Sequence, residues 1–160
     1  MTRMWMLGAA AAIVAMPVAA QTMAPADYVK MAGASDLYER QSSELVLQST
    51  RNPEVRRFAN MMIAHHRKST ADVTAAAKRA RVAIAPPMLM PPQAEMIAQL
   101  RAAQGTARDT AYLTQQRTAH DQALALHQGY ARDGSAAPLK AAAAKIVPVV
   151  SSHIAMLKRM

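Results

Sequence analysis

Prolines and short polar breaks divide this chain into a few long segments that favour helix. Asn52-Pro53 and Asp133-Gly134 each separate two long segments, and a proline-rich stretch at 85–92 separates the second segment from the third. Proline removes an amide donor and clashes with the preceding turn, so it is tolerated mainly at the start of a helix. The chain has five glycines in all and is rich in residues that lose little side-chain freedom in a helix. The sequence therefore predicts an all-α fold.

The breaks delimit four long helices and one short helix. Their predicted ranges are 27–50, 53–83, 92–103, 106–132, and 138 to nearly the C-terminus. Pro148 predicts a kink or a restart in the last of them. Short turns join the first two and the last two long helices, whereas the connection in the middle is long. This layout predicts a ferritin-like four-helix bundle with a long crossover that contains a short extra helix.

The first twenty residues have the pattern of a secretory signal peptide. Arg3 supplies a positive charge, Trp5 to Val14 is an uncharged apolar run, and small residues end at Ala20. We therefore expect cleavage after Ala20, a periplasmic or secreted protein, and one domain over 21–160. The apolar run is too short to be a membrane span. We therefore expect no transmembrane segment in the cleaved protein. The chain has no Cys, so no disulfide stabilises it in an oxidising compartment.

The chain is strongly basic, with a formal net charge of +9. A basic excess suits anionic partners such as lipid headgroups, so an anionic envelope surface is a predicted partner. One Phe, one Trp and four Tyr are few for base stacking, which disfavours nucleic-acid binding. An ordinary solvated helix face is the alternative interpretation for the basic residues of the second helix. These residues are Arg56, Arg57, Arg67, Lys68, Lys78 and Arg79.

Four polar residues lie on the apolar stripes of four different predicted helices: Glu39, His66, His120 and His153. A helix turns by about 100° per residue, which places Glu39 and His66 about 20° from the centre of their stripes. His153 lies about 40° from its stripe, His120 lies nearer an edge, and His65 falls on a flank. Within each hairpin the two polar residues differ in depth by about 3 Å, at a rise of about 1.5 Å per residue. The four side chains should therefore converge near the middle of the bundle.

One carboxylate and three imidazoles match the ligands of a four-coordinate transition-metal site, with Zn, Fe or Cu as the candidate ions. Tyr112 lies on the same face as His120 and is a candidate for the outer shell of such a site. The alternative is a buried polar network in which Glu39 pairs with a protonated histidine. The chain has no phosphate-binding glycine loop and no arrangement typical of a serine hydrolase, so no catalytic residue is predicted.

Several short motifs, in this order and spacing, resemble a known family. They are Asp27-Tyr28-Val29, Asn52-Pro53-Glu54-Val55, Phe58-Ala59, Met62-Ile63-Ala64-His65-His66, Ala111-Tyr112-Leu113, Ala119-His120, Ile146-Val147-Pro148 and Ser152-His153. The chain resembles the bacterial envelope family of unknown function called "predicted outer membrane protein", which is similar to ferritin-like four-helix proteins. The resemblance implies a helical bundle and assigns His66 to the histidine that recurs in the family.

The chain also departs from that family. Members often carry Glu-x-Glu on the first helix, where this chain has Glu39-Arg40-Gln41, and an Asp-His pair where it has His65-His66. The Glu-x-x-His pairs of di-iron ferritin-like proteins are absent as well. A mononuclear site is therefore the prediction, in a metal-binding or stress-related envelope protein. A structural module that uses the basic face and a redox metalloenzyme are the two alternatives, and the oligomeric state stays open.

Overall fold

Five α-helices account for most of the structure, a computed structural model that describes residues 22–160. They are α1 (Pro25–Leu47), α2 (Pro53–Arg79), α3 (Pro91–Ala102), α4 (Gly105–Asp133) and α5 (Ala137–Leu157). No strand occurs within residues 22–160, so the all-α prediction is confirmed. The expected signal peptide lies outside the described residues.

The four long helices surround a common interior. Helix α1 packs against α2 and α4, and α5 packs against the same two helices from the other side. The order around the bundle is therefore α1, α2, α5, α4. The short helix α3 lies within the long connection from α2 to α4 and covers α1 and α4. This arrangement lets every long helix direct one face toward the others, as the sequence predicted.

The core has three apolar clusters, and a polar layer lies between the two larger ones. One cluster includes Tyr28 of α1, Val73 of α2 and Leu139 of α5. The other lies toward the opposite ends of these helices and includes Val46 and Phe58. The residues between the clusters are buried and polar: Asp36, Glu39, His66, Gln116, His120 and His153. Apolar packing therefore encloses these six polar residues from both ends of the bundle.

Helices α1, α3, α4 and α5 begin one or two residues before their predicted starts. Helix α1 starts at Pro25, so Asp27 lies in its first turn. A carboxylate there favours the positive end of the helix dipole. Helix α4 starts at Gly105, one residue before the predicted start at 106, and Gly105 has a φ of 53°. Glycine adopts this left-handed conformation without a steric penalty, so the turn into α4 is made there.

Helix α2 ends at Arg79, earlier than the predicted 83, because the chain reverses at Arg81. This residue has a φ of 56°, in the left-handed region. The Val82 amide then donates to the Ala77 carbonyl at 3.0 Å. Such a bond, spanning six residues, is the Schellman pattern that commonly ends helices, although glycine usually occupies the left-handed position.

Helix α5 continues through Pro148 from Ala137 to Leu157, so the predicted restart does not occur. Within residues 22–160, α5 is the one helix that is long and apolar enough to span a membrane by length and composition. Its inward residues Ile146 and Val150 pack in the apolar core of the bundle. A core helix of a bundle gives the same apolar pattern.

The start of α2 has a side-chain cap. The Asn52 side-chain oxygen accepts hydrogen bonds from the amides of Glu54 at 2.8 Å and Val55 at 3.4 Å, and Pro53 occupies the first turn. Amides at the start of a helix have no partner within the helix, so this cap satisfies two of them. It therefore fixes where α2 begins, and with it the register of His66.

We expect Asn52→Ala to lower the free energy of unfolding by about 1 kcal/mol, because it leaves these amides without their acceptor. Urea unfolding followed by circular dichroism measures the change. Asn52→Asp keeps the acceptor and should stay close to the parent. Equal stability of the parent and Asn52→Ala would show that the cap does not stabilise α2.

Candidate metal centre

Three histidines from three different helices meet in the polar layer. His66 of α2, His120 of α4 and His153 of α5 each offer a ring nitrogen, and the three nitrogens lie within 4.8 Å of one another. The three residues are 5%, 0% and 1% exposed, respectively. The structure therefore brings together three of the four residues that the sequence analysis proposed as ligands.

Each of these imidazoles has its other ring nitrogen engaged outside the cluster. The outer contacts are His66 Nδ1 with Asp36 Oδ1 at 2.8 Å, His120 Nδ1 with the Gln116 carbonyl oxygen at 2.9 Å, and His153 Nε2 with His65 Nδ1 at 2.8 Å. Histidine ligands of metals nearly always have an outer partner of this kind, which fixes the ring orientation and the tautomer.

The outer partners determine where two of the protons reside. A carboxylate and a backbone carbonyl oxygen only accept hydrogen bonds, so Nδ1 of His66 and Nδ1 of His120 each donate. In the neutral imidazole the lone pair is then on Nε2, which faces the centre of the cluster. His66 and His120 are thereby preset as Nε2 ligands.

The spacing of the inner nitrogens suits a metal ion. His120 Nε2 and His153 Nδ1 are 3.2 Å apart. Two nitrogens at about 2.0–2.1 Å from a tetrahedral ion would be separated by about 3.3 Å. His66 Nε2 is buried and has no hydrogen-bond partner among residues 22–160. All three inward nitrogen atoms lie within 4.8 Å of one another, so small side-chain movements would bring them to the spacing of metal ligands.

A metal-free arrangement of hydrogen bonds satisfies part of the same cluster. His65 Nδ1 donates to His153 Nε2, His153 Nδ1 donates to His120 Nε2, and His120 Nδ1 donates to the Gln116 carbonyl. This series of hydrogen bonds uses every ring nitrogen of His120 and His153. It leaves Nε2 of His66 without a partner, so the network alone does not account for all of the buried groups.

Glu39 is the fourth predicted ligand, and it lies beside the three histidines. Its side chain is 1% exposed, and neither carboxylate oxygen has a hydrogen-bond partner within residues 22–160. Its Oε1 lies 3.6 Å from His120 Nδ1, on the side of that ring that bonds the Gln116 carbonyl. Direct ligation by Glu39 therefore stays a prediction, and its carboxyl group lies next to the cluster.

Asp36 is a buried member of the site that the sequence analysis did not identify. One carboxylate oxygen accepts from His66 Nδ1, and the other accepts from Thr70 Oγ1 at 3.0 Å. Asp36 precedes Glu39 by one helical turn, so it shares the inner side of α1. This spacing of three residues from Glu39 is the sequence signal that could have identified Asp36.

His65 occupies the flank of α2, as predicted, and is exposed. Its ring nonetheless stacks on that of His153, with ring centroids 5.1 Å apart. The position of His65 on the flank of the helix correctly predicted that it is exposed. It did not predict the contact with His153. The contact depends on how close α2 and α5 approach each other, which the sequence of one helix does not contain.

Tyr112, the proposed outer-shell residue, lies in the neighbouring apolar cluster. Its hydroxyl is hydrogen-bonded to Ser43 Oγ at 2.8 Å. Burial raises the pKa of Tyr112 well above its usual value, and the charge of Glu39 adds to this, so the phenol stays protonated. No hydrogen bond joins Tyr112 to Glu39 or to the three histidines within the described residues, and its outer-shell role remains a prediction.

Two histidines of the cluster have pKa values that are shifted in opposite directions because their neighbours differ. Burial, together with the adjacent imidazoles of His120, His66 and His65, lowers the pKa of His153 to about 3. Burial also opposes protonation of His66, but the hydrogen bond to Asp36 and the charge of Glu39 outweigh it and raise its pKa. His153 is therefore neutral at neutral pH, as a metal ligand must be.

The fifth histidine, His127 of α4, is outside the group of three. Its Nδ1 is hydrogen-bonded to the Tyr28 hydroxyl at 2.9 Å. Burial lowers its pKa to about 4, against a small opposing effect of the Asp36 charge. A histidine that is neutral in the fold but ionises when the chain unfolds makes stability depend on pH.

The sign follows from proton binding. Between about pH 6.5 and pH 4 the unfolded chain holds the His127 proton and the folded chain does not, so stability falls as the pH decreases through this window. We expect His127→Gln, which keeps a partner for Tyr28, to flatten this part of the profile. Urea unfolding at several pH values, for the metal-free parent and variant, measures it. Parallel profiles would contradict a neutral His127 in the fold.

The basic residues of α2 are all exposed, so the predicted outer position is correct. Three of them lie within ion-pair distance of a carboxylate. The pairs are Arg57 with Glu54, Arg67 with Glu44, and Lys68 with Asp72. These pairs neutralise part of the face. An anionic partner for it is not tested by the structure and stays a prediction.

The fold and the site together define a helical bundle with a buried layer of imidazoles and carboxylates. Residues 11–160 match the family described as "Domain of unknown function (DUF4142)", and the chain belongs to this family.

Among solved structures, the fold is similar to that of a protein predicted to be secreted, DUF305 from Streptomyces coelicolor. The two are 16% identical with a TM-score of 0.69, over 83% of this chain and 87% of the other. At this identity the similarity concerns the fold alone. No curated protein sequence matches the chain.

Proposed function

We propose that this protein binds one divalent transition-metal ion through the side chains of His66, His120 and His153. The observation that carries the proposal is the pairing pattern of these rings. All three have an outer partner, and their remaining nitrogens converge within 4.8 Å. Imidazole suits Zn, Cu, Fe and Ni, and among divalent ions Cu would bind most tightly.

The charges around the cluster support the proposal. Asp36 and Glu39 are both buried, and together they carry two negative charges when ionised. Burying an uncompensated carboxylate costs several kcal/mol, roughly, even after the protein relaxes around it. A divalent ion among three neutral imidazoles would cancel both charges. The two carboxylates and the three rings thus have complementary roles, the first supplying charge and the second supplying ligands.

A role in the cell envelope agrees with the sequence. The N-terminal pattern of a signal peptide predicts export, and the structurally similar protein from Streptomyces coelicolor is itself predicted to be secreted. We propose that the protein acts outside the cytoplasm as a metal-binding protein. No residue of the site has the features of an activated nucleophile, so binding is a better description of its role than turnover.

We expect about one metal ion per chain in the protein purified without a His tag from residue 21 onward, after incubation with Zn, Cu or Fe salts and removal of excess metal. His120→Ala should retain little, because it removes a central ligand. Elemental mass spectrometry gives the ratio. His127→Ala is the matched control, since it removes a buried histidine of the same helix outside the cluster. No metal in the parent would exclude the proposal.

A second prediction separates the metal site from a salt-bridged polar network. Glu39→Gln keeps the size of the side chain and removes its charge. We expect weaker metal binding but a metal-free protein at least as stable as the parent, because an unpartnered buried carboxylate is removed. Titration calorimetry and urea unfolding measure the two effects. A loss of about 3–5 kcal/mol in the metal-free protein would instead indicate that Glu39 forms a buried ion pair.

Asp36→Asn tests the outer partner of His66, with metal affinity measured by titration calorimetry. Loss of an outer carboxylate typically weakens metal binding by about 10–100-fold. The amide oxygen still accepts from Nδ1, so the ring keeps its orientation and the loss reports mainly on charge. Unchanged affinity in this variant would show that Asp36 does not assist the site.

A further inference from the structure

A cavity of about 290 Å³ lies between α2 and α5 and extends to the candidate metal centre. His66 and His153 form part of its wall, and Ile146, Val149 and Val150 form an apolar side. One water needs a cavity of about 10–15 Å³, so this space accommodates a ligand of several atoms. Two of the three proposed ligands therefore form part of the wall of one cavity, together with their outer partners Asp36 and His65, while the inward Nε2 of His66 is itself buried.

The ionisable groups that line this cavity leave it with a positive charge at its mouth. Lys145 of α5 is exposed and has no ion pair within residues 22–160. Asp72 accepts from Lys68 at 2.7 Å, and Asp36 is hydrogen-bonded to His66. Both carboxylates on the wall are thus engaged, and His65 and His127 are the remaining titratable groups there. The cavity should favour an anion over a cation.

The arrangement of ligands leaves room on the cavity side. Three protein ligands with an open fourth position are typical of zinc sites that take up an exogenous ligand. Glu39 lies by Nδ1 of His120 and does not line the cavity. The open position of a three-histidine site would thus be reached from the α2–α5 cavity and not from the α1 side.

We propose that this cavity admits a small monovalent anion, which binds directly to the metal ion. The proposal rests on the metal binding proposed above and adds the class of the second ligand and its route. The apolar wall limits the size of the ligand, Lys145 attracts its charge, and the two histidines direct it to the ion.

The probe is azide, added to the protein loaded with one equivalent of Cu(II). Azide bound to Cu(II) gives a charge-transfer absorption band, which reports coordination directly and does not depend on any activity. We expect a saturable band whose midpoint concentration gives the affinity. Metal content measured before and after the titration establishes that the ion stays in the protein.

Val149→Trp tests the route. Val149 is 40% exposed and lines the cavity, so a large ring there obstructs the entrance without disturbing the core. We expect azide to associate with the Cu(II) protein more slowly by a factor on the order of ten in stopped-flow absorbance measurements, because an obstructed entrance slows entry and exit. Ser151→Trp is the matched control, since Ser151 is an exposed residue of the same helix outside the cavity lining. It should leave the association rate unchanged.

Lys145→Glu tests the charge. We expect azide to bind severalfold more weakly, because the positive charge at the mouth is reversed, while neutral imidazole binds as it does to the parent. An equal effect on both ligands would overturn the role given to Lys145.

The failures of the two proposals are distinguishable. A protein that takes up no Cu(II) overturns both. A protein that holds one Cu(II) per chain but gives no band with azide, or loses its metal to azide, overturns the anion site and leaves metal binding intact. Equal rates of azide association for Val149→Trp and Ser151→Trp would overturn the cavity as the route.

Discussion

The structure depends on a layer of buried polar groups that two apolar clusters enclose. Two carboxylates and three imidazoles in a dry interior destabilise a fold unless they are paired or bound to a cation. Here His66 is paired with Asp36, and His120 donates to a carbonyl of its own helix. Glu39 has no hydrogen-bond partner among residues 22–160, so it is the group whose charge most needs compensation.

The four long helices hold the residues of this layer rigidly. Each ligand is on a long helix, and its outer partner is on another helix or one turn away on the same helix. Helices are stiffer supports for a site than loops are, and outer partners prevent the rings from rotating. The same arrangement gives the rings different protonation behaviour, since the pKa of His66 is raised and that of His153 is lowered. A cavity between α2 and α5 borders two of these rings, His66 and His153.

The similarity to a solved structure concerns the fold and not the function of this protein. The protein shares its architecture with a DUF305 protein at 16% identity, and such similarity concerns the fold alone. A helical bundle hosts many unrelated functions, so the fold by itself does not support metal binding. The spacing of the ring nitrogens, their outer partners and the buried carboxylates support it.

The sequence by itself determined the helices, their order and the inward positions of Glu39, His66, His120 and His153. These properties follow from the 3.6-residue period and from proline and glycine, which act locally. Only the tertiary structure revealed Asp36 as the partner of His66 and His65 as the partner of His153. It also placed Glu39 beside His120 Nδ1, outside the group of converging nitrogens. The reason is physical: a period assigns a face within one helix, whereas a hydrogen bond needs two helices to approach within a few tenths of an ångström, in a specific rotamer.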